Sequence, residues 1–466
     1  MNGKLIAAIV AVAVIVSGAG VYALLYNNGD SKNLDVNLEV YGNADKDWDI
    51  DIDDVNLLEK YIAASSFNDT KTLSDLEGKI NLTFADANVD GHINTADIEQ
   101  VYAIINGNAN TIWILDGVGK TRSVDTDISR IGCEYYQNTE LCLILGLADR
   151  IAAVDNAPYQ YLDFYFSDNQ ENNVSNLVNM NSPDYDYVNS LNLDTLLIFS
   201  STASYEAKQD KLIDCDVLYL GLYNPDLTNT SNSSFVQGVL KAGYIFGAVD
   251  RAESYLNWIL DYRDKLLDIS NSISEDEKPV VAMSNYSSSG YFFNDTDVNV
   301  PLYTDIDPLG QAIILAGGTN ILSVIDANSS TSYSTKVLVD SILNDDPDVE
   351  IDYVFLHMVK YTYSALVLDS TPDHGYLVDD YKEIIAGAED ASSRSLLTDE
   401  VVSLIAGDFR NGCTGGVLLA AYIGNIINSE YYSSIDPIQM HNEYVEWMGI
   451  QDYDVSEHGV FIYTAS

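Results

Sequence analysis

The sequence predicts an α/β protein of two lobes joined by one long helix, preceded by a small helical module and an N-terminal transmembrane helix. Three patterns carry that expectation. Beyond residue 110, short aliphatic runs alternate with helical stretches. Between residues 249 and 269, apolar residues recur at helical spacing without interruption. Before residue 107, two acidic twelve-residue loops stand in tandem, and each runs directly into an amphipathic helix.

The first element is an uncharged apolar run of 21 residues, 5–25 (LIAAIVAVAVIVSGAGVYALL), which follows Lys4. That length suits one membrane span, whereas a signal peptide has a shorter apolar region. The expected arrangement is an uncleaved signal anchor over residues 1–30, with Lys4 inside and the rest of the chain outside. Ser17–Gly20 offers a cleavage site that would instead release the protein. Residues 26–37 read as a polar spacer.

Composition narrows the partners. The 466 residues carry 22 basic and 71 acidic side chains, a net charge of −49, which excludes nucleic acid as a partner because phosphates must be neutralised by Lys and Arg. A hydrophobic fraction of 47% is enough for sizeable cores in two or three domains. The four cysteines show no CxxC spacing and read as small buried hydrophobes.

Residues 31–109 form the next unit. Its loops, Asn43–Asp54 and Asp86–Asp97, place oxygen side chains at positions 1, 3, 5, 9 and 12. These are Asn43, Asp45, Asp47, Asp51 and Asp54, then Asp86, Asn88, Asp90, Asn94 and Asp97. Asp49 and His92, at position 7, would add backbone carbonyls. A hard cation takes six to eight such oxygens from a tightly curled backbone. Gly91 occupies position 6 of the second loop, where the turn favours glycine, but Trp48 stands there in the first. The exit helices are expected at Asp54–Ala64 and Asp97–Ile105. This duplicated loop-and-helix pattern resembles a type I-like dockerin module over residues 38–107. The resemblance implies two bound Ca2+ ions and a cohesin-bearing partner protein. The competing explanation is a pair of acidic turns in an acidic protein.

From residue 110 onward the elements follow an α/β order. Strands are expected at Thr111–Leu115, Arg130–Cys133, Ile151–Val154, Thr195–Phe199, Val217–Leu220, Val280–Met283 and Tyr353–His357. Helices are expected at Thr139–Leu145, Val249–Ile269, Gly310–Ala316, around Ser341, at Thr398–Ala406 and at Gly416–Ile427. The implied division is lobe 1 at about 110–242, a linking helix at about 243–273 and lobe 2 at about 274–466.

Six segments then carry a second resemblance, in order: SRIGCEYYQNTELCLILGLADRIAAVDN (129–156), DYVNSLNLDTLLIFS (186–200), GYIFGAVDRAESYLNWILDYRDKL (243–266), PLGQAIILAGGTNIL (308–322), VLVDSILNDDPDVEIDYVFL (337–356) and GGVLLAAYIGNIINSEYYSSIDP (415–437). They are similar to the cobalamin and iron-siderophore substrate-binding proteins of ABC importers. That resemblance implies the class III periplasmic-binding-protein fold, with two Rossmann-like lobes. It also implies no catalysis: a metal-chelate, haem or corrinoid ligand is captured and passed to an ABC permease. In that family an acidic residue on each lobe docks the permease, and the matching positions are Asp186 and Asp340; each is equally well placed to favour a helix N-terminus. The loops after strands bring Tyr135, Tyr159, Phe199, Tyr286, Tyr333, Arg410 and Asn411 toward the expected cleft. Phe199 matches the aromatic of the cobalamin binders, while Asn411 replaces their acid. Arg410 would suit an anionic ligand group, or a surface ion pair.

Two rival functions stay open on sequence: a dockerin-bearing secreted hydrolase, and a structural surface protein. The chain contains no GxSxG, HExxH or P-loop motif.

Overall fold

A computed structural model describes residues 34–178, 182–199, 204–223, 226, 233–285, 299–338, 351–358, 402–451, 453–458 and 461–464. The apolar run 5–25, Tyr286, Asp340 and the helix expected around Ser341 lie outside the described residues. Among the described residues no helix is long and apolar enough to cross a membrane.

The acidic loops lead into helices because their last residues cap them. Helix α1 (Ile52–Phe67) starts from Asp51, whose side chain accepts the Asp53 N–H, and Asp54 bonds back to the Asp51 N–H. Helix α3 (Thr95–Ile105), beyond the short α2 (Thr70–Leu76), repeats this capping box with Asn94 and Asp97. A hairpin follows, β1 (Thr111–Leu115) and β2 (Thr121–Asp125). The free edge of β1 is covered by the chain before the first loop: Val40 bridges Ile114, and Tyr41 N–H reaches Trp113 O at 2.9 Å.

Lobe 1 is a five-stranded parallel sheet in the order β5-β4-β3-β6-β7, from β3 (Ile131–Cys133), β4 (Ile151–Val154), β5 (Ser175–Asn176), β6 (Thr195–Leu197) and β7 (Asp216–Leu218). Strands β3, β4 and β6 are buried along their whole length, which explains why they carry no charged residue. Helix α4 (Tyr135–Ile144) follows β3 and is buried from Tyr136 to Ile144.

Lobe 2 has a seven-stranded mixed sheet. Strands β8 (Val280–Asn285), β10 (Thr319–Asn320), β12 (Tyr353–Met358) and β13 (Val402–Ala406) are parallel. β9 (Asn299–Tyr303) and β11 (Ser334–Leu338) add an antiparallel edge, and β14 (Ile462–Thr464) closes the other. The helix expected over 398–406 is corrected here: its described part is β13. A short apolar run does not separate strand from helix by periodicity. Pairing with β12 on one side and β14 on the other selects the strand.

The lobe junction also departs from expectation. Residues 243–246 end a separate helix, α8 (Ser234–Phe246), which terminates at Gly247 in a left-handed conformation (φ 67°). The linking helix α9 is Val249–Ser272, 24 residues, about 36 Å long at 1.5 Å per residue. It packs on α4 and α8 of lobe 1 and on α10 (Pro308–Leu315) and α12 (Val417–Ile427) of lobe 2. Its Tyr255 hydroxyl donates to Cys413 O, and Tyr432 OH reaches Leu266 O at 3.3 Å. Buried tyrosines thus satisfy carbonyls along the hinge while filling it. All four cysteines are buried and free.

Candidate functional site

The carboxyl ends of β3, β6 and β7 in lobe 1 face those of β8, β12 and β13 in lobe 2, and a chain of rings crosses between them. Tyr135 follows β3 with φ 67°, a strained conformation for a residue with a Cβ. It is held there by its N–H, which donates to Asp155 Oδ2 at 2.8 Å. Its ring lies 4.2 Å from Phe199, which follows β6. Phe199 meets Tyr223 edge-on at 4.9 Å, and Tyr223 meets Tyr333 of lobe 2 edge-on at 4.9 Å. The Arg410 guanidinium lies 5.1 Å from the Tyr223 ring and 5.0 Å from Tyr303. Such contacts are electrostatically attractive and strengthen as water is excluded.

Two acids beneath this cluster are ion-paired, while a third, Asp155, accepts the Tyr135 and Ala157 N–H groups and is raised by burial to about 6. Arg410 sits on Asp307, with Nη2 at 2.7 Å and Nε at 3.1 Å from Oδ2. Burial works against the Arg410 charge, but Asp307 outweighs it and raises the guanidinium pKa. Burial pushes the Asp307 carboxyl up, with Arg410 opposing. Asp307 is fully enclosed and also accepts the Leu309 N–H as the cap of α10. On lobe 1, Glu134 accepts the Phe199 N–H at 3.2 Å and pairs with Lys208, both buried. Behind the cluster, His357 lies between Tyr303 OH (3.3 Å) and Gly407 O (3.5 Å). Burial drives its pKa down to about 3, so it is neutral near pH 7.

Four expected cleft residues therefore come together: Tyr135, Phe199, Tyr333 and Arg410. Tyr159 ends a short helix (Asn156–Tyr159) after β4, half-buried and outside the ring chain. Asn411 closes the helix Asp408–Asn411. Asp186 is exposed in the first turn of the helix Tyr185–Ser190. Tyr223, Tyr303 and Asp307 join the cluster without having been expected. The signal for Tyr223 was its place just beyond an expected strand, and for Asp307 the Asp-Pro start of an apolar helix.

The acidic loops share one hydrogen-bond pattern. Position 5 donates its N–H to the position 3 side chain, as Asp47 to Asp45 at 3.3 Å and Asp90 to Asn88 at 3.0 Å. Position 7 donates to position 5, as Asp49 to Asp47 at 3.1 Å and His92 to Asp90 at 2.8 Å. Position 9 donates to position 12, as Asp51 to Asp54 at 2.9 Å and Asn94 to Asp97 at 2.8 Å. Both position 4 residues, Lys46 and Val89, are left-handed. Gly91 is also left-handed (φ 88°), whereas Trp48 turns into the core.

The donor set is hard oxygen in the order a cation requires, on a backbone already curled. Among the described residues no group of three or more His, Cys, Asp or Glu side chains is placed so that it could hold a metal ion; the loop carboxylates bond to loop amides instead. In the first loop they also repel one another. Burial and then Asp47 raise Asp45 to about 6. Burial, Asp47 and Asp51 raise Asp49 to about 7. Burial raises Asp54 to about 8.

The fold is that of periplasmic solute-binding proteins. The chain is similar to the TroA-like periplasmic binding protein FepB from Veillonella parvula, with a TM-score of 0.55 and 12% identity over 76% of this chain and 99% of that one. It is similar to the molybdate periplasmic binding protein MolA of a Haemophilus influenzae ABC transporter, bound to molybdate, with a TM-score of 0.53 and 15% identity over 73% and 98%. A periplasmic solute binding protein from Veillonella parvula gives a TM-score of 0.51 and 14% identity over 75% and 97%. No protein-family model matches the sequence, and no curated protein matches it.

Proposed function

We propose that this chain is the extracellular solute-binding component of an ABC importer, holding an iron chelate, haem or corrinoid between its lobes without altering it. The observation that carries this reading is the ring cluster Tyr135–Phe199–Tyr223–Tyr333 with Arg410, set where two α/β lobes meet at the carboxyl ends of their strands. That crevice is the general ligand position of open α/β sheets. Aromatic faces with hydroxyl edges suit a large, partly apolar ligand. Opening the lobes would part Tyr223 from Tyr333 and Arg410, exposing those faces. Asp186 would dock a permease, its exposed carboxylate meeting a basic socket, with Asp340 as its counterpart on lobe 2.

The loop module would bind two Ca2+ ions. Asn43, Asp45, Asp47, Asp51 and Asp54 would hold one, and Asp86, Asn88, Asp90, Asn94 and Asp97 the other, with carbonyls from Asp49 and His92. Bound calcium would neutralise the crowded carboxylates and order α1 and α3 as a surface for a cohesin-type partner. Ile52, Phe67, Tyr102 and Ile105 leave apolar side chains exposed on these two helices. The N-terminal apolar run would supply a second attachment, to the membrane.

An absorption spectrum of the protein purified from its source tests the ligand reading. A corrinoid, haem or iron-chelate band that travels with the protein supports it. A colourless protein that takes up none of these when they are offered counts against it.

A further inference from the structure

Two buried carboxylates set the ring pair on the lobe 1 side of the cleft, and they do so through the backbone. Asp155, just beyond β4, accepts the Tyr135 N–H on Oδ2 at 2.8 Å and the Ala157 N–H on Oδ1 at 2.9 Å. Its own N–H donates to Cys133 O at 3.0 Å. On the other flank of β3, the Glu134 N–H donates to Leu197 O at 2.9 Å, and the Glu134 side chain accepts the Phe199 N–H. The carbonyls of the same turn are taken up by α4: Asn138 Nδ2 donates to Glu134 O at 2.8 Å, and Thr139 Oγ1 donates to Tyr135 O at 3.1 Å. The chain leaving β3 is therefore clamped by β4, by β6 and by its own helix.

The clamp holds a conformation that a tyrosine avoids. At φ 67° the Tyr135 Cβ makes a left-handed backbone costly unless the surroundings impose it. The side chain gives that geometry its use. Its ring lies against Phe199, and its hydroxyl stands within electrostatic reach of lobe 2: burial raises the hydroxyl pKa to about 12, while Arg410 opposes the rise. A ring anchored in lobe 1 thus meets the charges of lobe 2.

We propose that Asp155 is a positioning residue of the ligand cleft: its bond to the Tyr135 N–H holds that residue left-handed, so that the Tyr135 ring is set against Phe199 before a ligand arrives. The proposal rests on the solute-binding reading above and deepens it, because part of the affinity then belongs to a side chain beneath the ring wall. A wall already in place spares the ligand the cost of ordering it. Without Asp155 the binding-competent conformer becomes a minor one, and the apparent affinity falls by its fraction.

Cyanocobalamin, haemin and a ferric catecholate are offered in turn to the full chain, and the one that binds is titrated into a double-mutant cycle of Asp155→Ala and Tyr135→Gly. Asp155→Ala should weaken that probe about tenfold or more in the Tyr135 background. In the Tyr135→Gly background, where the left-handed backbone needs no support, the further loss should stay below about twofold. Equal losses in the two backgrounds would mean that Asp155 acts on the fold at large, and they overturn the proposal, as does an unchanged affinity in Asp155→Ala. Asp155→Asn, which keeps one carbonyl oxygen for two N–H donors, takes the place of Asp155→Ala if that variant does not fold, and the same inequality is expected of it. A crystal structure of the Asp155 variant reads the clamp without any ligand: Tyr135 should leave the left-handed region and its ring should move off Phe199. Tyr135 still left-handed against Phe199 overturns the proposal. If none of the three probes binds the unaltered chain, the ligand reading falls and the ligand role of Asp155 falls with it, while the crystal structure still shows whether Asp155 holds Tyr135.

Discussion

The first acidic loop and the inter-lobe cleft both bury carboxylates, and they treat them in opposite ways. In the cleft Asp307 has Arg410 and Glu134 has Lys208 as a counter-charge. Behind it, Glu140 accepts the hydroxyls of Tyr165 and Tyr444 and the N–H of Cys413, which ties α4 of lobe 1 to lobe 2. In the loop, Asp45, Asp47, Asp49 and Asp51 face one another, and their described bonds come from backbone amides. A carboxylate beside a counter-charge is complete as folded. Carboxylates beside one another are raised in pKa and gain from a cation. The two regions therefore differ in how they are balanced: Asp307 and Glu134 are counter-charged as folded, while the loop carboxylates crowd one another.

Substitutions that strip a partner from the cleft test its completeness most severely. Asp307→Ala leaves Arg410 partly buried and unpaired, and should cost about 3–5 kcal/mol in urea unfolding of the full chain. A loss below about 1 kcal/mol, the value of an exposed pair, would mean the pair is solvated and the cleft is not self-sufficient. The loop should respond instead to metal. At a hundredfold excess over its Kd, Ca2+ should stabilise the protein by about 2.7 kcal/mol per site, and a chelator should remove the gain. Chelator-insensitive unfolding would erase the contrast between the regions.

A third test uses pH. Burial raises Glu140 from an ordinary carboxylate value to about 7. Its folded pKa then lies above its unfolded pKa, so between about 4.5 and 7 the folded state binds more protons and stability falls as pH rises. Relative to the unaltered chain, Glu140→Gln should gain melting temperature steadily across that window and level off above it. A difference that does not change with pH would show that the hydroxyl and amide donors hold Glu140 ionised throughout. The smallest effect belongs to the surface. Asp186→Asn should leave unfolding within about 0.5 kcal/mol while slowing association with membranes bearing the cognate permease, and slowing it less at high salt. An unchanged on-rate would remove Asp186 from the docking face.

The loops were legible in the sequence because all their donors lie within twelve consecutive residues, and Asp51, Asp54, Asn94 and Asp97 serve as both loop positions and helix caps. The lobes were legible as alternating aliphatic and helical runs, with Ile151–Val154 placed to the residue. The cleft was half legible. Tyr135, Phe199, Tyr333 and Arg410 each follow or border a strand, but Asp307 is a partner 103 residues before Arg410, and no local pattern links them. The joining of loop and lobe, where the Ile50 N–H donates to the Tyr244 hydroxyl, was hidden for the same reason, since the two are 194 residues apart. Strand β13 was read as helix because its neighbours β12 and β14, which decide its conformation, lie far away in the chain.

We propose that the rings between the lobes close on a captured ligand. That closure is tested most directly by the melting temperature of the full chain against corrinoids, haem and ferric chelates, alongside Tyr223→Ala. One ligand class should raise the melting temperature of the unaltered chain, and most of that shift should vanish in Tyr223→Ala, because Tyr223 joins Phe199 to Tyr333 and Arg410. A shift that survives in Tyr223→Ala, or no shift with any ligand while a polysaccharide is cleaved, would contradict it.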